Sequence, residues 1–244
     1  MCGRFTMTMV EEELKNRFRL GFVEAQVQAR YNIAPGQNIP VIVSDQEGNR
    51  KLTEMRWGLV PFWAKDTKIG NRMINARSET ITEKNTFKRA LTRRRCLIPA
   101  DGFYEWKKVG KVKQPMRITL KDKGIFAMAG LWDSWKSPEG KTINSCTIIT
   151  CGANSFMKGI HDRMPVILSK KAEEEWLNRK QADPEKLKKH LIPCPSKSFK
   201  AQTVSTLVNS PGYDGPECVM PLPEQKIQKT VQAKSTRAKK GKRR

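Results

Sequence analysis

Acidic residues are in short supply in this chain. Asp and Glu number 24 among 244 residues against 47 Lys and Arg, a net charge of +23 with a pI near 10.0. That imbalance disfavours cationic partners and favours polyanions, of which nucleic acid is the commonest inside cells. Histidine is nearly absent, with only His161 and His190, and none of the six cysteines forms a CxxC pair. A zinc site with the usual ligand spacing is therefore not expected, and nothing calls for another cofactor. No charged-then-apolar leader opens the chain, and no apolar run approaches the length of a membrane span. The expectation is a cytoplasmic, nucleoid-associated monomer without membrane contact, its thiols mostly small buried hydrophobes in a reducing setting.

No internal repeat is visible, and residues 1–224 read as one domain. Short β-like runs recur at Ile39–Ser44, Leu52–Val60, Cys96–Pro99, Pro115–Leu120, Ile125–Trp132, Cys146–Cys151 and Pro165–Leu168. Asp101-Gly102, Lys123-Gly124 and Glu139-Gly140 supply turns between several of them. Helical spacing is expected over Glu11–Leu20, Asn85–Arg94 and Lys170–Arg179, the last following Ser169 as N-cap. Asp183-Pro184 opens another helix toward Leu191, with Pro in its first turn. Strands and helices do not alternate strictly, so the expected class is α+β.

Composition changes after Glu224. Residues 225–244 hold nine Lys or Arg and no acid, with almost nothing apolar, and are expected to form a basic flexible tail. Without them the chain still carries 38 basic against 24 acidic groups, or +14. The domain itself is basic.

The chain starts Met1-Cys2-Gly3-Arg4-Phe5. The small side chain of Cys2 makes Met1 removable, which leaves a cysteine with a free α-amino group. An amine of pKa about 7.7–8.0 and a thiol near 8.5 then sit on adjacent carbons as two nucleophiles. Amine attack on an aldehyde gives an imine, and thiol closure gives a five-membered thiazolidine. An internal cysteine cannot do this. From Met-Cys alone, an unremarkable residue at a frayed terminus is the better reading.

Five further segments change that balance: Arg30 to Gln37 (RYNIAPGQ), Trp57 to Trp63 (WGLVPFW), Ile74 to Glu79 (INARSE), Ala100 to Lys107 (ADGFYEWK) and Ile160 to Pro165 (IHDRMP). In this order, behind a terminal Met-Cys-Gly-Arg, they resemble the SRAP family, the SOS response-associated peptidase proteins. The match runs from Cys2 to about Leu222. The resemblance implies a single α+β domain with a barrel-like, largely antiparallel β core and flanking helices. It further implies a basic cleft for single-stranded DNA and suicide-type covalent capture of the ring-opened aldehyde of an abasic site. Lyase and thiol (auto)peptidase activities come with it.

Residue by residue, the resemblance makes Cys2 the nucleophile and Asn75 the asparagine that holds the terminal amine and the adduct. Glu105 matches the acid that assists sugar ring opening, and His161 the histidine that serves imine formation and reversal. Arg4 and Arg77 match phosphate-contacting arginines, while Trp106 and the Pro35 turn resemble parts that pack against the nucleotide.

The chemistry suits these residue types. Ring opening moves a proton between oxygens, work for a carboxylic acid of raised pKa. Imidazole titrates near neutrality and serves both amine addition and water loss. Guanidinium geometry fits phosphate, and an unpaired base needs an aromatic face to stack on. Each residue also has an ordinary reading. Glu105 could be a solvent-facing strand residue beside Lys107 and Lys108, Asn75 a turn former, Arg4 and Arg77 surface ion-pair partners. Trp57, Trp63 and Trp106 could partly be core, with Trp106 the best candidate for exposure, and His190 reads as surface. The basic tail has no counterpart in the family core; a sequence-blind DNA tether is its first reading. Two other functions compete. One is a cysteine peptidase with Cys2 as nucleophile and His161 as base, and the other is a non-covalent reader of modified bases that needs Trp106 but not Cys2.

Overall fold

A computed structural model describes residues 2–222, so both the domain boundary expected at residue 224 and the tail beyond it lie outside the described residues. The chain runs β1 (Phe5–Met7), α1 (Glu11–Phe18), β2 (Leu20–Val23), β3 (Arg30–Ile33), β4 (Asn38–Ser44) and β5 (Arg50–Trp57). It continues through β6 (Asn75–Arg77), α2 (Asn85–Arg93), β7 (Arg95–Ala100), β8 (Gly102–Val109) and β9 (Val112–Leu120). Then come β10 (Phe126–Lys136), β11 (Thr142–Gly152), β12 (Arg163–Pro165), β13 (Ile167–Leu168), α3 (Lys170–Leu177), α4 (Pro184–Lys188) and β14 (Phe199–Thr203).

Five strands close on themselves. β11, β10, β7, β4 and β5 pair antiparallel in that order, and β5 returns to β11 through a parallel pairing of Arg56 with Ser145 and Trp57 with Cys146. Closure leaves few open edges on this ring. A second sheet, ordered β14-β9-β8-β1-β3, packs over the same core. This is the α+β architecture with a largely antiparallel, barrel-like β core that the sequence led us to expect. Fully buried side chains cover both faces of the ring, Ile98, Met128 and Ile148 on one and Ile42, Leu97 and Leu131 on the other. Burying such a side chain contributes about 1.5–3 kcal/mol.

The helices follow local rules. In α1, Leu14 and Phe18 fall one turn apart on the buried face, and Glu13 reaches back to the Val10 N–H at 2.9 Å. Ser169 caps α3 by accepting from the Ala172 N–H, and Asp183 caps α4 with Pro184 in the first turn. The last helix stops at Lys188, three residues short of the expected Leu191. Its continuation tightens into His190-to-Leu187 and Leu191-to-Lys188 bonds ahead of Pro193.

One strand ends early for a reason that matters to the site. β5 stops at Trp57 because Gly58 adopts φ +127°, and a Cβ there would meet the Gly70 carbonyl oxygen at 2.7 Å. The two glycines let segment 67–74 press against the barrel. Trp57 Nε1 and the Ile148 N–H both bond the Ile74 carbonyl, at 2.9 and 3.2 Å. That fixes β6, and with it Asn75, alongside β11.

Candidate active site

The N-terminal segment is not frayed. Phe5 pairs with Ile33 of β3 on one side and Phe103 of β8 on the other, and its ring meets Trp57 edge-on at 5.3 Å. The Tyr104 N–H donates to the Arg4 carbonyl at 2.9 Å. These contacts carry residues 2–4 past Glu105, and Cys2 is completely buried. Asn75 approaches from the barrel, its Nδ2 donating to the Cys2 carbonyl at 3.1 Å and to the Ile74 carbonyl at 2.8 Å. Its buried Oδ1 accepts from no described residue.

Glu105 lies on β8 with 2% of its surface exposed, so the reading of it as a solvent-facing strand residue does not hold. His161 arrives on the loop ahead of β12, anchored by its own N–H to the Met157 carbonyl at 2.8 Å. Its Nε2 stands 3.9 Å from Glu105 Oε2, too far for a direct hydrogen bond and wide enough for a bridging atom. Nδ1 accepts from the Arg163 N–H at 3.0 Å, which puts the proton of a neutral ring on Nε2. Asp162 Oδ1 is 2.8 Å from the same Nδ1 and becomes its acceptor when the ring is protonated.

Electrostatics push these groups toward their neutral forms. Burial, reinforced by the charge of Asp162, drives Glu105 from the ordinary carboxylate range up to about 7. Burial also lowers His161, so at neutral pH the pair is not an ion pair. Burial, then the nearby Glu105 charge, pushes the Cys2 thiol well up.

The remaining candidates are spread around this centre. Arg77 is exposed at the end of β6, two residues from Asn75 and therefore on the same side of its strand. Arg4 is spent largely inside the protein. It donates to Asn32 Oδ1 at 2.8 Å, to the Asn209 carbonyl at 3.3 Å, and to the Val208 carbonyl, tying the 206–209 turn to β1. Pro35 sits in the tight turn after β3, where Gly36 takes φ +88° and donates to the Trp57 carbonyl at 2.7 Å. Ahead of that turn, residues 30–33 of the RYNIAPGQ segment are strand, because they pair with β1. Trp106 is half-buried, its Nε1 donating to Asn209 Oδ1 at 2.7 Å. Trp57 is core, whereas Trp63 is 53% exposed, more open than Trp106.

Glu105, Trp106 and His161 line a pocket of about 420 Å³ together with Lys113 and Asn209. Sequence reasoning missed those last two. Lys113 lay in a lysine-rich hairpin and Asn209 in a segment without a motif, and only tertiary contact marks them. Arg163 was within reach, one residue past Asp162 in the His161 motif. It clamps Glu79 with two hydrogen bonds, at 2.7 and 2.9 Å, and the Thr150 carbonyl at 2.7 Å. His190 is half-buried and pairs with Glu175 at 2.9 Å.

Fold and site together define a closed β-barrel protein whose second residue is a buried cysteine, its carbonyl bonded by Asn75, with Glu105 and His161 facing each other close by. The chain belongs to the SRAP family: the model of that family, SOS response associated peptidase, matches residues 1–211. The abasic site processing protein YoqW of Bacillus subtilis is 49% identical over 222 residues, covering 90% of this chain and 99% of its own. The abasic site processing protein HMCES of Gallus gallus is 32% identical, over 96% of this chain and 81% of its own. A crystal structure of a protein from Bacteroides thetaiotaomicron superimposes with a TM-score of 0.83 at 28% identity, covering 91% of this chain and all of that one.

Proposed function

We propose that this protein is a DNA-repair factor that captures abasic sites in single-stranded DNA as a thiazolidine on Cys2. Family membership and relatives named for abasic site processing support the substrate class. The observation that carries the chemistry is the convergence of Asn75 and Glu105 on a buried cysteine at position 2.

Removal of Met1 leaves the α-amino group on Cys2, the residue whose carbonyl Asn75 Nδ2 already holds. The abasic sugar is a cyclic hemiacetal. Glu105, near 7, is partly protonated at neutral pH, so it protonates the ring oxygen and takes the C1′ hydroxyl proton as the C1′–O4′ bond breaks. The amine adds to the aldehyde carbon, and loss of one water gives the imine. His161, neutral and with its Nε2 proton turned toward Glu105, assists that proton movement. The Cys2 sulfur then bonds to C1′ while the thiol proton passes to the imine nitrogen, so the net change is aldehyde plus aminothiol to thiazolidine plus water. A neutral buried thiol suits this last step, because it brings the proton the nitrogen requires. Arg77, Lys113 and the surplus positive charge of the domain attract the phosphate backbone, and Trp106 offers a face to a flanking base.

Cys2→Ser tests the order of events. The amine survives and the hydroxyl closes the ring poorly, so the variant should form little stable adduct yet be trapped on abasic DNA by borohydride. A stable adduct at the wild-type rate would remove the thiol from the reaction. Failure to trap any imine would remove the amine.

A further inference from the structure

A second, larger pocket is nowhere near this chemistry. It has a volume of about 610 Å³, within the range of ligand sites, and shares no lining residue with the Glu105 pocket. Strand β9 separates the two: Lys113 near its start borders the Glu105 pocket, and Leu120 at its end borders the larger one. Seven residue steps put them ~23 Å apart.

The walls of this groove combine two chemistries. Leu120, Ile125, Leu168 and Ile192 form an apolar floor and lip, and Ile192 is 61% exposed, an uncommon state for a large aliphatic side chain flanked by Pro193. Lys121, Lys170 and Lys189 stand around the rim on three separate segments, all exposed and without an ion pair among the described residues. The neighbouring acids are engaged: Asp122 accepts from the Gly124 N–H at 2.9 Å, and Glu175 pairs with His190. The rim is therefore positive over an apolar base.

We propose that this groove docks a protein segment that alternates acidic and apolar side chains. Charge complementarity selects that occupant. The chain's own residues 225–244 carry nine cations, no acid and hardly any apolar side chain, so they are repelled by the rim and offer nothing to the floor. A bare polyanion would pair with the lysines but leave the apolar floor uncovered. An acidic-apolar segment satisfies both, and it can stay bound while DNA occupies the other end of β9. The groove then gives the protein a route of recruitment to partner proteins independent of the lesion.

The test uses the full chain saturated with unlabelled single-stranded DNA, so that the nucleic-acid surface is filled. The probe is a short fluorescein-labelled peptide alternating Asp and Leu, read by fluorescence anisotropy, with an Asp–Ser peptide of equal charge as control. Docking predicts that the Asp–Leu peptide binds about ten-fold or more tightly than the Asp–Ser peptide. It also predicts that Lys189→Glu and Ile192→Asp each weaken it by about ten-fold while crosslinking to abasic DNA stays unchanged. Both positions are on the surface, and the retained crosslinking reports intact folding. Equal affinity for the two peptides, displacement of the probe by DNA, or indifference to both substitutions would overturn the proposal. So would a concentration-dependent dimer in sedimentation that disappears with Ile192→Asp, since that would make the groove a self-interface.

Discussion

Two glutamates in this molecule are buried to nearly the same degree and are held in opposite ways. Glu173, 1% exposed on α3, receives two hydrogen bonds from Arg17 at 2.6 and 3.0 Å, and that fork joins α3 to α1. Glu105, 2% exposed on β8, faces His161 at 3.9 Å and a cysteine. A guanidinium fork gives the first a structural task. Burial lifts the second to about 7. Burial alone therefore does not mark a functional carboxylate; the identity of its partner does.

The contrast predicts unequal consequences of mutation. Glu173→Ala leaves the Arg17 guanidinium, whose side chain is 16% exposed, without its counter-charge. Unfolding in urea should show a loss of about 3–5 kcal/mol, while crosslinking by the folded fraction is kept. A loss below about 1 kcal/mol would mean that the pair does not brace the helices.

Glu105→Gln should do the reverse. Crosslinking slows by about 10²-fold in single-turnover measurements, with DNA affinity barely changed. Stability moves the other way, and with pH. The carboxyl is raised from 4.5 to about 7, so below pH 4.5 it is protonated folded or unfolded and the two proteins are equally stable. Between pH 4.5 and 7 the unfolded chain gives up this proton while the folded wild type keeps it, so the Gln variant becomes the more stable, by up to about 3 kcal/mol above pH 7. Urea midpoints at pH 4 and 9 check this; a pH-independent difference would place Glu105 with Glu173 among the structural carboxylates.

His161→Ala should slow adduct formation less than Glu105→Gln does and slow its reversal more, since the ring assists water loss and return. Equal slowing in both directions would leave His161 with only a positional role.

Much of this was legible in the chain. Strands β4, β7, β9, β10 and β11 announce themselves through β-branched and aromatic runs, and Ser169 and Asp183 mark helix starts by their caps. The short strands were not visible. β1, β3 and β6 have three or four residues each, too few for a period, and exist because β8 and β11 offer them an edge. β8 was hidden for another reason: its Phe-Tyr-Glu-Trp reads as a motif, and with the buried Glu105 it has no polar–apolar alternation until Trp106. The central residues of the candidate site were readable because they lie in order along recognisable motifs. Lys113 and Asn209 were not, since a hairpin turn and a surface 3-10 turn bring them to the pocket from unremarkable sequence. The commitment of Arg4 to the 208–209 carbonyls could not be read from its place beside Cys2 either.

The most direct test of the account is the intact mass of the protein, with and without abasic single-stranded DNA, in two forms: one beginning at Cys2 and one carrying a residue ahead of it that cannot be removed. The account predicts that the first gains the mass of the DNA less one water, while the second, its thiol intact, gains nothing that survives heating. A heat-stable adduct on the blocked form would contradict it, because a thiazolidine requires the amine and the thiol of the same residue.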